Sequence, residues 1–293
     1  MNVSTSPSIF WWKPGCWLRV SGPDAATFLQ GQFTNDLRGL SPGSARYGLW
    51  LSVKGKVLAD SFVVRGASEE EFWIGSYFSS ATTIRERLES HIIADDVTVE
   101  DLTAEWAAVS VWDATGHETG PAGGFRFSGR RTRAENFELV FPAAARERIQ
   151  TLCAFARELS WAGVERGRIA AGIPAIPADI GPGDLPNEGG LESDAISFTK
   201  GCYLGQEVMA RLKTMGQVRR KLLRVRGDAE TIPALPARLF DRSRPVGELR
   251  SAVHDGAGGW IGLAMLSLLH FKADLPLSVA PDGPPALRMM EAP

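Results

Sequence analysis

The sequence predicts an α+β protein of two or three domains that ends in a small β-barrel. Three observations lead there. In the first half of the chain, hairpin-like pairs of apolar strands alternate with amphipathic helices. A stretch rich in proline and glycine then interrupts regular structure at residues 173–199. From Arg219 to the end, short strand-like segments recur between turn residues. At 293 residues the chain also exceeds the size at which one core is comfortable.

The elements follow in order. Ser21, Gly22, Pro23 and Asp24 make a helix start, with Ser21 or Asp24 available to cap, and Gly31 is the stop. Residues 45–53 and 56–65 read as strands joined at Lys54-Gly55, and 71–77 as a third. Residues 79–92 form a helix with Ile84, Leu88, His91 and Ile92 on one stripe. A second round places strands at 106–112 and 137–141 and a helix over 142–159, opened by Pro142. This interleaving suits a sheet covered on one face by helices. Between 173 and 199, Pro174, Pro177, Pro182 and Pro186 stand among Gly181, Gly183, Gly189 and Gly190, which predicts a long irregular loop. Such loops in compact domains are commonly functional. Beyond it, strands are expected at 221–225, 237–240, 245–249, 260–265 and 275–279, with turns at Asp255-Gly256 and Gly258-Gly259. No internal repeat is evident.

Composition excludes several functional classes. A net charge of -2 and a pI near 6.1 argue against bulk electrostatic binding to nucleic acid or to anionic membrane. No apolar stretch approaches the roughly 20 residues that span a bilayer, and the N-terminus lacks a signal-peptide pattern, so a cytoplasmic location is expected. Cys16, Cys153 and Cys202 are too few and too separated for a disulfide framework. With His91, His117, His254 and His270 equally scattered, no metal site is expected.

The most concentrated chemistry lies in Lys200-Gly201-Cys202-Tyr203-Leu204-Gly205-Gln206-Glu207. Gly201 permits a turn, and residues 203–212 are good helix formers with Leu204, Val208 and Leu212 on one face. Cys202 would then sit at or just before a helix N-terminus. Unpaired amide groups there, together with Lys200, would favour the thiolate. A free cysteine is otherwise a small buried hydrophobe.

The run from Ile196 to Glu207 resembles the signature of the YgfZ family of folate-binding proteins. That family is related to the glycine-cleavage T-protein and includes a mitochondrial iron–sulfur assembly factor. The resemblance continues in Arg168-Ile169-Ala170-Ala171-Gly172-Ile173-Pro174, in Leu185-Pro186-Asn187-Glu188, in residues 29–36 (LQGQFTND) and in residues 54–60 (KGKVLAD), so it covers most of the chain. It implies a T-protein-like (GcvT-like) multidomain fold, with helix-covered antiparallel sheets around a central folate channel and a C-terminal barrel. Residues 1–172 would form the folate-binding α+β region in two subdomains, 173–212 the loop and signature, and 213–293 the barrel.

The function so implied is support of iron–sulfur cluster assembly or repair, and thereby of tRNA modification, with tetrahydrofolate or a derivative as cofactor. A cluster would be met on a partner protein or transiently through one thiolate. Cys202 would be the nucleophile or transient ligand and Lys200 the residue favouring its thiolate. Asn35, Asp60, Tyr203, Gln206, Glu207 and Arg211 would contact the folate.

Two departures bear on the reaction. Ala170 stands where aminomethyltransferases carry a glutamate, and Ala59-Asp60 where they carry two adjacent acids. Aminomethyl transfer needs carboxylates to orient the pterin, which disfavours a glycine-cleavage role. The alternative is a folate-dependent one-carbon transferase on an unknown donor, with Asp60 as the remaining carboxylate. A further reading is an RNA-binding accessory protein. Arg211, Lys213, Arg219, Arg220, Lys221, Arg224 and Arg226 place seven bases in one run, which could hold a folate glutamate tail, an acidic partner or tRNA through Arg219, Arg220 and Lys221. Such runs are also ordinary solvated faces. Trp11, Trp12 and Trp17 could stack on a pteridine, although core packing is the usual role of tryptophan.

Overall fold

The computed structural model describes residues 7–112, 121, 123–269 and 276–290. The chain opens with β1 (Ser8–Trp12), β2 (Cys16–Ser21) and α1 (Ala25–Gln32). The first hairpin, β3 (Ala45–Leu51) and β4 (Val57–Arg65), is followed by β5 (Glu71–Ser76), α2 (Ala81–Glu89) and β6 (Thr98–Asp101). Next come β7 (Trp106–Trp112), β8 (Phe125–Ser128), β9 (Asn136–Pro142), α3 (Arg146–Leu152), β10 (Arg157–Glu158) and α4 (Trp161–Ala171). After the irregular loop stand α5 (Gln206–Met215), β11 (Arg220–Gly227), β12 (Ala237–Asp241), β13 (Arg244–His254), β14 (Trp260–Ser267) and β15 (Arg288–Met289).

The strands form three five-stranded sheets, in the orders β3-β4-β5-β2-β6, β10-β1-β7-β9-β8 and β12-β13-β14-β11-β15. Only three residues separate β1 from β2, yet the two belong to different sheets, so the chain ties the first sheets together at its start. Between those sheets Trp17, Leu49, Phe62 and Trp73 pack with Trp12, Ala108, Phe127 and Val140. Trp17 stacks on Trp73 at 5.9 Å, so core packing is what this tryptophan supplies. The opposite face of the first sheet packs on α1 and α2 through Phe28, Leu29, Phe33, Ile84 and Leu88. That sheet is therefore covered on both faces rather than one, which is why seven of the nine residues of β4 are buried. The third sheet curls into a half-barrel, where Ser278 bridges to Phe240 of β12 and Leu277 to Leu287.

Several expectations change. The helix over 142–159 is cut to α3, because Arg157 N–H donates to Pro7 and Leu159 N–H to Ile9, which draws this segment alongside β1 as a strand. Helix α4 was not anticipated, although Ser160 caps it by accepting from Gly163 N–H and Gly172 (φ +70°) ends it. Strands β1, β2, β6, β8 and β15 were also missed, and of the strand expected at 275–279 only isolated bridges at Leu277 and Ser278 form among the described residues. Asp24 occupies the cap position of α1 without capping it, since its carboxylate accepts instead from Asp96 N–H. Leu275, expected to open a strand, and His117 and His270 lie outside the described residues.

The loop at 173–199 has little regular structure but is held by three of its own acids. Asp179 accepts from Arg168 of α4 at 2.6 Å and from Ser251 of β13. Asp184 accepts from Arg250 of β13 and from Arg220 of β11 at 3.0 Å, and Glu188 takes the same Arg220 at 3.0 Å. Burial alone would raise the Asp184 pKa, but Arg250, the Gly181 amide and Arg220 together hold it below its ordinary value.

Replacing Arg250 by Met leaves buried Asp184 short of its main partner, and a loss of about 3 kcal/mol is expected in urea unfolding. Because the folded-state pKa of Asp184 lies below the unfolded one, this contribution is complete above about pH 4 and disappears as the pH falls through the folded value. The gap between wild type and Arg250→Met should therefore be constant from pH 5 to 7 and close in stronger acid.

Candidate functional site

Strands β3 and β4, the turn after β5, the loop between β8 and β9 and helix α4 bring two tyrosines, three arginines and a carboxylate around a small inner cavity. Asp60 of β4 is buried, and it accepts hydrogen bonds from Tyr47 Oη (3.0 Å), Ser76 Oγ (2.9 Å) and Ser79 Oγ (2.7 Å). Burial pushes the Asp60 pKa up, against the pull of these three hydroxyls. Tyr77 donates to Glu138 at 2.6 Å, and Glu138 also accepts from Trp12 and Ser110. Arg131 lies over the Tyr77 ring at 4.0 Å and 3.8 Å from Glu138, neutralising a fully buried carboxylate. Arg168 and Pro174 complete the wall.

Two clefts open to the surface beside this cavity. The larger, about 490 Å³, is lined by Arg46, Tyr47, Phe62, Arg126, Phe127 and Arg130. The smaller, about 300 Å³, is bounded by Arg133, Gly172, Ile173, Pro174 and Leu191. Both volumes fall in the range of roughly 300–1,000 Å³ typical of small-molecule sites. Arg130 borders both clefts and the inner cavity. Its guanidinium lies over the Tyr47 ring at 3.9 Å and donates to Asp194 at 3.1 and 2.5 Å.

The signature stretch lies elsewhere. Lys200 is buried, and its ammonium donates to the carbonyls of Gln30 (2.6 Å), Phe33 (2.6 Å) and Asn35 (3.0 Å) at the end of α1. Burial pushes its pKa down to about 8, so it is still charged at neutral pH, and the three bonds satisfy carbonyls left free where the helix stops. The ammonium expected to favour a Cys202 thiolate is thus spent on α1. Leu204 N–H donates to Gly31 in the same clamp. Gly205, with φ +84°, is the N-cap of α5, so the helix begins at Gln206 and Cys202 precedes its cap by three residues. The helix-dipole argument for that thiol therefore does not apply. Gly205 needs its missing Cβ, because one would sit 2.8 Å from the Ser52 carbonyl and 3.2 Å from Gly55 in the β3–β4 turn.

The remaining expected residues divide between these two places. Asp60 lines the inner cavity, and Asn35 supports the larger cleft by donating to the carbonyls of Tyr47 (2.9 Å) and Asp194 (3.0 Å). Tyr203 is buried in the central core, its hydroxyl lacks a partner, and burial lifts its pKa to about 12. Cys202 is exposed, as is Glu207, which pairs loosely with exposed Arg211 at 4.0 Å. Neither these three nor Gln206 line the clefts or the inner cavity. In the basic run Arg220 is committed to Asp184 and Glu188, leaving Arg219 and Lys221 exposed. Sequence reasoning missed Tyr47, Tyr77, Arg130, Arg131 and Asp194. The run Arg130-Arg131-Thr132-Arg133 was the available signal. Among the described residues, no three His, Cys, Asp or Glu side chains gather as a metal site, and no helix is long and apolar enough to cross a membrane.

Comparison with known proteins bears on this arrangement. Residues 16–116 match the GCVT N-terminal domain. The chain is 30% identical to the tRNA-modifying protein YgfZ of Edwardsiella ictaluri over 96% of its own length and 90% of that protein. It is 32% identical to the human mitochondrial iron–sulfur cluster assembly factor IBA57 over 71% of its length, spanning 63% of that relative. In three dimensions it is similar to the glycine cleavage system aminomethyltransferase T of Bartonella henselae, with a TM-score of 0.81 at 18% identity over 98% of this chain and 86% of that one.

Two expectations about the signature stretch can be measured. Lys200→Met strands three carbonyls and should cost about 3 kcal/mol in urea unfolding, whereas Cys202→Ala at an exposed site should stay within about 0.5 kcal/mol of wild type. Cys16 and Cys153 are buried, and burial raises both thiol pKa values. A thiol reagent at neutral pH should therefore modify one group per native chain, Cys202, and reach the others only on unfolding.

Proposed function

Because the chain belongs to the YgfZ family, whose fold is that of the aminomethyltransferase T-protein, we propose that it is a cytoplasmic tetrahydrofolate-binding protein. It supports the assembly or repair of iron–sulfur clusters and, through cluster enzymes, tRNA modification. The observation that carries this reading is the separation of two chemistries: a carboxylate enclosed beside a cleft of ligand size, and a thiol exposed on the signature segment. The names of its YgfZ and IBA57 relatives supply the iron–sulfur and tRNA context.

The residues present suit a folate. Tyr47, Phe62 and Phe127 offer ring faces to a flat ligand in the larger cleft, and Asp60 stands behind that wall, accepting the Tyr47 hydroxyl and so fixing the ring. Tetrahydrofolate, when bound, would supply one-carbon or redox chemistry of its own. The protein's part is to hold it against Tyr47, Phe62 and Phe127 in the larger cleft. Cys202 acts outside, as the group that meets an iron–sulfur protein. A full aminomethyl transfer is disfavoured, since Ala170 offers a methyl where aminomethyltransferases carry a glutamate, and Ala59 stands beside Asp60 where they carry a second acid. RNA binding would rest on Arg219 and Lys221 without Arg220, and it should then weaken steeply with salt.

Calorimetric titration with tetrahydrofolate should show binding to wild type and to Cys202→Ala alike, and binding about tenfold weaker to Asp60→Asn. In a bacterial strain lacking its own YgfZ, wild type should restore iron–sulfur enzyme activity and Cys202→Ala should not. Absence of any heat with tetrahydrofolate would remove the folate reading, and full rescue by Cys202→Ala would remove the thiol's role.

A further inference from the structure

The pair Arg130–Asp194 is asymmetric. Arg130 lies in the wall shared by the two clefts and the inner cavity, its side chain 17% exposed, whereas the Asp194 side chain is 48% exposed at the rim. A buried guanidinium needs an anion beside it, but a half-exposed carboxylate loses little by returning to water. The surroundings already hold more positive charge than Asp194 answers. Arg46 and Arg126 line the same larger cleft, and among the described residues Arg46 makes no ion pair and the buried Nε of Arg126 has no hydrogen-bond partner. The floor beneath them is aromatic, from Tyr47, Phe62 and Phe127.

We propose that Asp194 is an internal stand-in for a ligand carboxylate, and that the larger cleft receives an aromatic ligand bearing two carboxylates, one displacing Asp194 from Arg130 and the other met by Arg46 and Arg126. The exchange keeps one carboxylate on the buried guanidinium throughout, so no charge is left uncompensated. It also frees the Asp194 side chain, which borders both clefts, while Asn35 keeps hold of its carbonyl. The ligand's identity rests on the folate reading above, in which its aminobenzoyl-glutamate end would be this group. The exchange itself requires only the dicarboxylate.

The probes are p-aminobenzoylglutamate, its uncharged dimethyl ester, tetrahydrobiopterin, which has the pterin without the tail, and inorganic phosphate. Each is titrated by calorimetry into wild type, Asp194→Asn, Arg126→Gln and Arg130→Gln, with thermal melts run beside them. Removing the internal competitor should tighten p-aminobenzoylglutamate about tenfold in Asp194→Asn, while Arg126→Gln and Arg130→Gln weaken it by a similar factor. The ester should not discriminate among the variants. Asp194→Asn should also gain more thermal stability from p-aminobenzoylglutamate than wild type does. Should Arg130→Gln fail to fold, the Asp194→Asn and Arg126→Gln comparisons decide. Equal affinities of wild type and Asp194→Asn for p-aminobenzoylglutamate, or binding of ester or phosphate as tight as that of the acid, would overturn the proposal. Tetrahydrobiopterin binding with no response to p-aminobenzoylglutamate would overturn it and leave the folate reading standing. The reverse result would uphold the dicarboxylate exchange and remove the pterin.

Discussion

Three acids on a segment with almost no regular structure hold this molecule together. Asp179, Asp184 and Glu188 lie within ten residues of one another, all buried, and each takes a guanidinium from an element already fixed by its own sheet or helix. Proline and glycine supply the turns, but they cannot say where the loop goes. The ion pairs do, because a carboxylate taken out of water without its partner costs several kilocalories per mole. Arg168 brings α4, while Arg250 and Arg220 bring β13 and β11, so the ion pairs fasten the loop to α4 and the half-barrel. Apolar side chains of the same loop, Ile176, Ile180, Leu191 and Ile196, then close the central core over Trp17 and Phe62.

That arrangement sets what the interior can do. The walls of the inner cavity are charged, yet nearly every charge is answered: Asp60 by hydroxyls, Glu138 by Arg131, Arg168 by Asp179 and Glu165. Such a network is rigid and well satisfied, and it fixes Tyr47 and Arg130 where they face the larger cleft. The signature segment has the opposite character. Its cation and its aromatic ring are buried as anchors, and its thiol and carboxylate are left outside. The same eight residues therefore fix a loop and expose a thiol, and only the thiol stood out from their chemistry.

Local patterns in the sequence located what depends on local physics. The β3–β4 hairpin was legible because Lys54-Gly55 separates two apolar runs of strand length, and α2 because Ile84 and Leu88 repeat on one face. Strands β11 to β14 of the half-barrel were legible from their turns, and β15 was not. What escaped depended on distant partners. Residues 157–159 look helical by composition, but become a strand because β1 offers open hydrogen bonds alongside them. Lys200 was read as a neighbour of Cys202, whereas its partners are carbonyls some 165 to 170 residues earlier in the chain. Asp60 was found through its motif. Tyr47, Arg130 and Asp194 were not, because three separate segments must fold before they meet.

The contact between Gly205 and the Ser52–Lys56 turn has an evolutionary consequence. Gly55, with φ +68°, would place a Cβ 2.8 Å from Val208, and Gly205 would place one against Ser52 and Gly55, so the two backbones touch with nothing between them. Neither position has room to drift alone. A lineage that lengthened the hairpin turn would have to lift the start of α5 in the same step, and with it the loop that carries Cys202. Insertions in this fold are therefore expected at other turns, and these two glycines should be gained or lost together, as one character rather than two.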